Sequence, residues 1–316
     1  MNRVARKVFL YKVAKQLDDA GRLLGSPAVV LTKEHKTAGI RFNRPRFFNC
    51  IDESVIGPAA AFLSKIVTDS STDVLVIEGS NDRGKNYAFT TGGDLLMGRN
   101  IIDRKEKTNT ITEQERLYLV NIYRTQHYLH KLGKDITVVS LMDGASMGSG
   151  VLFGLNSTFS VATERTVWAI PEVIIGGMPD VGVLFHMNNL GDNMGTMMAL
   201  TGMRLTGTEV VLAGIATHFC SSDKVDSLKR EILKVGGQGG KRDDVKDVLD
   251  KYHKESVDKE DIKSKKEKIQ MIKDFTGSFY HSENLLDILE NLKLSDKDLS
   301  RQQLHLLGKG CPLSLR

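Results

Sequence analysis

The sequence predicts an α/β fold assembled from strand–strand–helix units. Short apolar runs of buried-strand type, Asp73–Glu78 (DVLVIE) and Ile136–Met142, alternate with longer segments of helical apolar spacing. A first pair of strands, Ala28–Thr32 and Gly39–Phe42, faces across the polar turn Lys33–Thr37. Glycine-bearing turns follow the apolar runs and lead back toward helices, the alternation expected of an α/β protein.

The chain is 316 residues long, enough for one large or two modest domains with a sizeable core. Its 41% hydrophobic and 26% charged residues are those of an ordinary globular chain. No run of about 18 apolar residues offers a membrane-spanning helix. A net charge of +5 with only 6% aromatics gives no basic, aromatic-interleaved face for nucleic acid. Cys50, Cys220 and Cys311 are scattered, which suits a reducing compartment without a disulfide framework. They have no metal-ligand spacing, and the eight histidines form no H-E-x-x-H pair, so no metal is expected.

In chain order, Arg3, Arg6, Lys7, Lys12 and Lys15 stand in Met1–Gln16 with no acid among them. Val4, Val8 and Tyr11 fall at helical spacing there, so residues 1–25 are expected to be a mitochondrial targeting segment. The core is expected over 26–222. Pro45 in NRPRFFN breaks the second strand, and Ile51–Ile66 has helical spacing. After Glu78 a long glycine-bearing loop, GSNDRGKNYAFTTGGDLL, follows. Thr112–Leu132 is expected to be a helix, with Thr112 as cap and Glu115 completing a capping box. After Cys220 the texture becomes helical: Asp223–Val235, a glycine joint at Gly236–Gly240, and a charge-dense face at Asp258–Lys268. Two amphipathic helices follow at Ser282–Leu292 and Asp298–Leu307, so 223–316 reads as a helical C-terminal region.

A phosphate-loop imitation and a weak dinucleotide-fingerprint imitation fail their context. Gly79, Gly84 and Lys85 fit G-x-x-x-x-G-K, but Asn86 stands where magnesium ligation needs Ser or Thr, and YAFTTGG opens no helix. Gly148, Gly150 and Gly154 space as G-x-G-x-x-x-G, and Glu164 comes too early for a ribose partner. No G-x-S-x-G elbow is present.

Two glycine turns survive, Gly92-Gly93-Asp94 and Gly148-Ser149-Gly150. Such turns expose backbone N–H groups to an anion or a polarised oxygen, although either alone is as readily a tight turn that needs small residues. Glu172 and Asp180 each follow a proline in an apolar, glycine-rich segment. Alone, Glu172 is as well a solvated turn residue and Asp180 a cap; together, eight residues apart, they suit an acid/base pair.

The segment MDGASMGSG…SVATERTVWAIPEVIIGGMPDVG…LTGMRLTGTEVVLAGIATHF, with FNRPRFFN and TTGGD upstream, resembles the 3-hydroxyisobutyryl-CoA hydrolases, a branch of the crotonase (enoyl-CoA hydratase/isomerase) superfamily. The resemblance implies a crotonase-like spiral of ββα units with a helical C-terminal region, often assembled as trimers or hexamers. It further implies hydrolysis of 3-hydroxyisobutyryl-CoA in valine breakdown, in the mitochondrial matrix, with a CoA thioester as substrate and no cofactor. By the same resemblance Glu172 is the catalytic carboxylate and Asp180 the second acid. Gly93 and Ser149 supply the oxyanion N–H groups within the turns begun by Gly92 and Gly148. Arg44 and Arg46 are candidates to meet CoA phosphates, although as surface charges they are as readily solvated. The chain departs from the family at Ser149, where glycine is usual, so a hydroxymethyl group is expected where the thioester oxygen approaches. It departs also at Ile122, where an acid precedes the Tyr123-Arg124 pair, and it stops where the family continues through further helices. Two alternatives stay open. One, which these departures motivate, is a catalytically weakened crotonase-fold structural protein, such as a component of the mitochondrial ribosomal small subunit, which is the one route to a nucleic-acid partner. The other, independent of the departures, is an enoyl-CoA hydratase or isomerase of the same superfamily, which the PE…PDVG hydrolase pattern disfavours.

Overall fold

The computed structural model describes residues 27–69, 71–81, 84–85, 87–282 and 284–315; the expected targeting segment lies outside them. Strands β1 (Val29–Glu34) and β2 (Thr37–Phe42) form the expected hairpin, paired from Val29↔Phe42 to Glu34↔Thr37. The turn is tighter than Lys33–Thr37, with His35 in the left-handed region. A single turn at Pro45–Phe47 leads to helix α1 (Glu53–Thr68), whose first turn Asp52 caps by accepting from the Ser54 N–H. Next come β3 (Val74–Gly79) and β4 (Ala88–Thr90), the latter inside the stretch expected to be all loop. Helix α2 (Leu95–Thr108) is missing from the sequence reading. None of its residues is fully buried, so it carries little of the periodic apolar signal by which helices are recognised. Helix α3 (Glu113–Asp135) starts from the expected Thr112–Glu115 capping box.

The next strands come in pairs. β5 (Thr137–Met142) and β6 (Ala145–Met147) precede the short helix α4 (Val151–Leu155). β7 (Phe159–Ala162) and β8 (Val167–Ala169) precede a single turn at Glu172–Ile175 and helices α5 (Val183–Met187) and α6 (Met194–Thr201). β9 (Leu205–Thr206), α7 (Thr208–Leu212) and β10 (His218–Phe219) close the core. The first strand of each pair joins a six-stranded sheet, β1-β2-β3-β5-β7-β10, parallel from β2 onward. The second joins a four-stranded sheet, β4-β6-β8-β9, in which β4, β6 and β8 are parallel. Each repeat therefore steps from the large sheet to the small one and returns through helix, which is the ββα spiral.

Side chains alternate across the large sheet. Leu75, Ile77, Val138 and Met142 face the main core with Trp168 and Leu129, whereas Val74, Val76, Val139 and Leu141 face outward. Helices α8 (Val225–Gly237) and α9 (Arg242–Ser256) cover that outer face with Leu228, Ile232, Val245 and Leu249. Burial on both faces explains why these strands read as unbroken apolar runs. Gly236, expected in a joint, lies inside α8, where a Cβ would come within 2.7 Å of Val74 and 2.9 Å of Thr37. The chain ends in α10 (Lys259–Phe279), α11 (Leu285–Lys293) and α12 (Asp298–Leu307).

The step from β5 to β6 is made at Asp143-Gly144. Arg165 grips the Asp143 carboxylate, Thr163 Oγ1 donates to it at 2.8 Å, and the guanidinium lies 3.8 Å from the centre of the Tyr87 ring. Gly144 has φ +98°, and a Cβ there would stand 2.3 Å from the Tyr87 carbonyl. Gly144→Ala is expected to lower stability by more than about 2 kcal/mol in denaturant unfolding, through backbone strain and overlap together.

Candidate active site

Three parallel strands of the small sheet, β4, β6 and β8, finish at one edge. The crevice beyond the carboxyl ends of parallel strands is where α/β proteins receive ligands. Here β4 runs into Gly92-Gly93-Asp94, β6 into Gly148-Ser149-Gly150, and β8 into Ile170-Pro171-Glu172. Strand pairing alone therefore brings the two glycine turns and the first carboxylate side by side.

At Gly92 and Gly150 the turns touch so closely that a side chain has no room. Gly92 has φ +80°, and a Cβ on it would lie 2.9 Å from both Met147 O and Ser149 N. One on Gly150 would come within 2.7 Å of Thr90 Cγ2 and 2.9 Å of Gly92 N. From the other side, Ile51 N donates to Gly92 O at 2.7 Å and Asp94 N to Ile51 O at 2.9 Å. Tyr118 Oη also donates to Ile51 O, at 3.0 Å.

Asp94 caps α2 by accepting from Leu96 and Met97. Its other oxygen meets the Arg44 guanidinium at 3.4 Å, and Arg44 also reaches Asp52 at 3.1 Å and Cys50 O at 2.9 Å. Arg44, expected to serve CoA phosphates, is thus engaged by two of the protein's own carboxylates, where it braces the first glycine turn. Arg46 is exposed on the turn Pro45–Phe47.

Ser149 links the two glycine turns through its side chain. Its Oγ accepts a hydrogen bond from Gly93 N at 3.1 Å, so the hydroxyl stands on one of the two N–H groups expected to hold an incoming oxygen.

Glu172 opens the single helical turn after Pro171. Its Oε1 lies 3.5 Å from the position a Cβ on Gly148 would take, so its carboxyl faces the second glycine turn. Oε2 is buried without a hydrogen-bond partner. Burial pushes the carboxyl up to about 7, and the charge of Asp180 adds to the rise. A hydrogen bond from the backbone of Glu172 itself partly offsets the rise, and a carboxyl with one buried, unpartnered oxygen that titrates near neutrality can serve as a base or nucleophile. The backbone around it is pinned: Gly177 N donates to Glu172 O at 2.9 Å, and Cys311 N to Val173 O at 2.8 Å.

Asp180 sits exposed at the rim, where Tyr123 Oη donates to its Oδ2 at 3.0 Å. The next residue, Val181, has φ +47°, a strained conformation for a β-branched side chain. Tyr123 is the site residue that sequence reasoning left without a role. Its neighbour Ile122 packs against the core, while Tyr123 points outward; an exposed tyrosine on the solvent face of the helix was the available signal. A cavity of about 430 Å³ opens beside the pair, lined in part by Tyr123, His127, His130, Val181 and His186. Gly84 and Lys85 lead into strand β4 and not into a helix, so the phosphate-loop imitation fails in the structure as well.

The described residues contain no helix long and apolar enough to cross a membrane. A family model described as "Enoyl-CoA hydratase/isomerase" matches residues 37–316. The mitochondrial 3-hydroxyisobutyryl-CoA hydrolase of Gallus gallus is 32% identical over 293 residues, covering 92% of this chain and 71% of that protein. The protein of the same name from Homo sapiens is 31% identical over 289 residues, covering 91% and 70%. Among solved structures, a carnitinyl-CoA dehydratase from Mycobacterium thermoresistibile superposes with a TM-score of 0.76 at 22% identity, over 92% of this chain and 77% of that one. An enoyl-CoA hydratase from Rhodobacter sphaeroides 2.4.1 gives 0.71 at 22% identity, over 91% and 76%. At that identity the likeness speaks for the fold.

Glu172 also makes a stability prediction. A carboxyl raised to about 7 in the fold, above its ordinary value, costs nothing while both states hold the proton. The cost grows as pH rises from about 4.3, where the unfolded chain ionises, to about 7, and is complete above that. Glu172→Gln is therefore expected to raise the melting temperature at pH 8 and to change it little at pH 4; an equal shift at both would show that Glu172 is not raised.

Proposed function

The chain belongs to the enoyl-CoA hydratase/isomerase (crotonase) superfamily, and from that premise we propose that it is an acyl-CoA thioester hydrolase. The carrying observation is Glu172, whose carboxyl keeps Oε2 buried without a hydrogen-bond partner and turns Oε1 toward the Gly148 turn. In this reading the N–H groups of Gly93 and Ser149 donate to the thioester oxygen and stabilise the charge it gains as the carbonyl becomes tetrahedral. Glu172 acts in one of two ways. It attacks the carbonyl to give an enzyme anhydride, CoA leaves as thiolate, and water hydrolyses the anhydride. Alternatively it takes a proton from the water that attacks directly.

Asp180, held by Tyr123, is placed to accept a hydrogen bond from a hydroxyl on the acyl chain. A 3-hydroxyacyl group supplies one, and the names of the curated relatives support 3-hydroxyisobutyryl-CoA as the substrate. Those names also support a mitochondrial role, which we place in the matrix and in valine breakdown. The second reading, a crotonase-fold structural protein, draws support from the Ser149 hydroxyl on Gly93 N.

Purified protein is expected to release CoA from 3-hydroxyisobutyryl-CoA, followed with a thiol reagent. Glu172→Ala should reduce kcat by about 10²–10⁴. A wild-type rate no greater than that of Glu172→Ala would end the hydrolase reading, and co-sedimentation of the protein with ribosomal subunits would then carry the structural one.

A further inference from the structure

We propose that Ser149 is a self-closing gate of the oxyanion site: its hydroxyl takes the place of the substrate's carbonyl oxygen on Gly93 N, and the site opens only when the side chain rotates away. The proposal rests on the thioester reading and deepens it, by making access to the site conditional on a ligand that carries a carbonyl oxygen.

Three observations carry it. The Ser149 Oγ accepts from Gly93 N at 3.1 Å, a normal distance for a hydrogen bond to a backbone amide. The same oxygen lies 3.2 Å, and Ser149 N 2.9 Å, from the point a Cβ on Gly92 would occupy, so hydroxyl and amide of one residue border the same glycine. Both turns are fixed: the first by Ile51 and the Arg44–Asp94 pair, the second by contact of Gly150 with Thr90 and Gly92. With the backbone held, the rotamer of Ser149 is the remaining freedom, and an unbranched serine has three staggered choices.

A hydroxyl and a carbonyl oxygen cannot accept the same N–H along the same line. The ligand must therefore replace one hydrogen bond with another, and the affinity it shows is reduced by the fraction of molecules already open. A neutral hydrogen bond of this kind holds the closed form by a factor of roughly 3–10. Free CoA and other ligands without the oxygen gain nothing from opening, whereas a thioester recovers the N–H as charge develops. Ser149 thus acts on binding through Gly93 and does not itself react.

The test compares wild type, Ser149→Ala and Ser149→Gly by calorimetry with two unreactive ligands. One is the ketone analogue of 3-hydroxyisobutyryl-CoA in which a methylene replaces the thioester sulfur. The other is the thioether of the same carbon chain, which lacks the carbonyl oxygen. Both variants are expected to bind the ketone roughly 3- to 10-fold more tightly than wild type and the thioether equally well. Unchanged or weaker ketone binding by Ser149→Ala overturns the gate. So does a gain seen only in Ser149→Gly, or one equal for both ligands, since either reports relief of crowding. If no form binds either ligand, the thioester reading fails and the gate falls with it. Amide exchange gives a readout free of ligand: the Gly93 N–H should exchange faster in Ser149→Ala than in wild type, and equal protection contradicts the proposal.

Discussion

The close approach of two backbone turns governs this site. Gly150 admits the amide of Gly92 into the space where any other residue would carry a Cβ, and Gly92 in turn clears Met147 O and Ser149 N. That approach exists because β4 and β6 are parallel neighbours in the small sheet, and it is held from outside by Ile51 and by the Arg44–Asp94 pair. A Cβ at Gly92 or Gly150 would overlap the backbone of the facing turn, so neither glycine can be replaced without a shift. Glu172 enters as the continuation of the third parallel strand, so its position is a consequence of the same sheet.

The chemistry of the site is set by what is left unpaired and what is not. Glu172 keeps one oxygen buried and without a partner, an arrangement a purely structural carboxylate does not need. Arg44, by contrast, is held between Asp52 and Asp94, and Asp180 is engaged by Tyr123. The hydroxyl of Ser149 satisfies Gly93 N, and in the proposed reading that bond opposes the entry of a carbonyl. In the proposed reading this one residue sets the balance between an open oxyanion site and a closed one.

Much of this was legible in the chain. The apolar runs of β3 and β5, the Thr112–Glu115 capping box and the last helix, Asp298–Leu307, lie where periodicity and capping chemistry put them. The glycine turns and Glu172 were visible as residue types, and the structure adds that they meet. Helix α2 escaped because none of its residues is fully buried, and β4 because three residues are too few to show alternation. Gly236 read as a joint because a glycine inside a helix and a glycine ending one look alike until the strand it packs against is known. Arg44 read as a phosphate ligand because its partners, Asp52 and Asp94, are distant in sequence and close only in the fold. Ser149 is visible in its motif, but its hydrogen bond joins residues 56 positions apart that meet only in the fold.

The account turns on Glu172 working in its ionised form while held at about 7. The most direct test is the pH dependence of kcat/KM for hydrolysis of 3-hydroxyisobutyryl-CoA between pH 5 and pH 9. The rate should rise with pH and reach half its plateau near pH 7, as the buried carboxyl loses its proton. A profile that is flat down to about pH 5, as an ordinary solvated carboxylate would give, contradicts it.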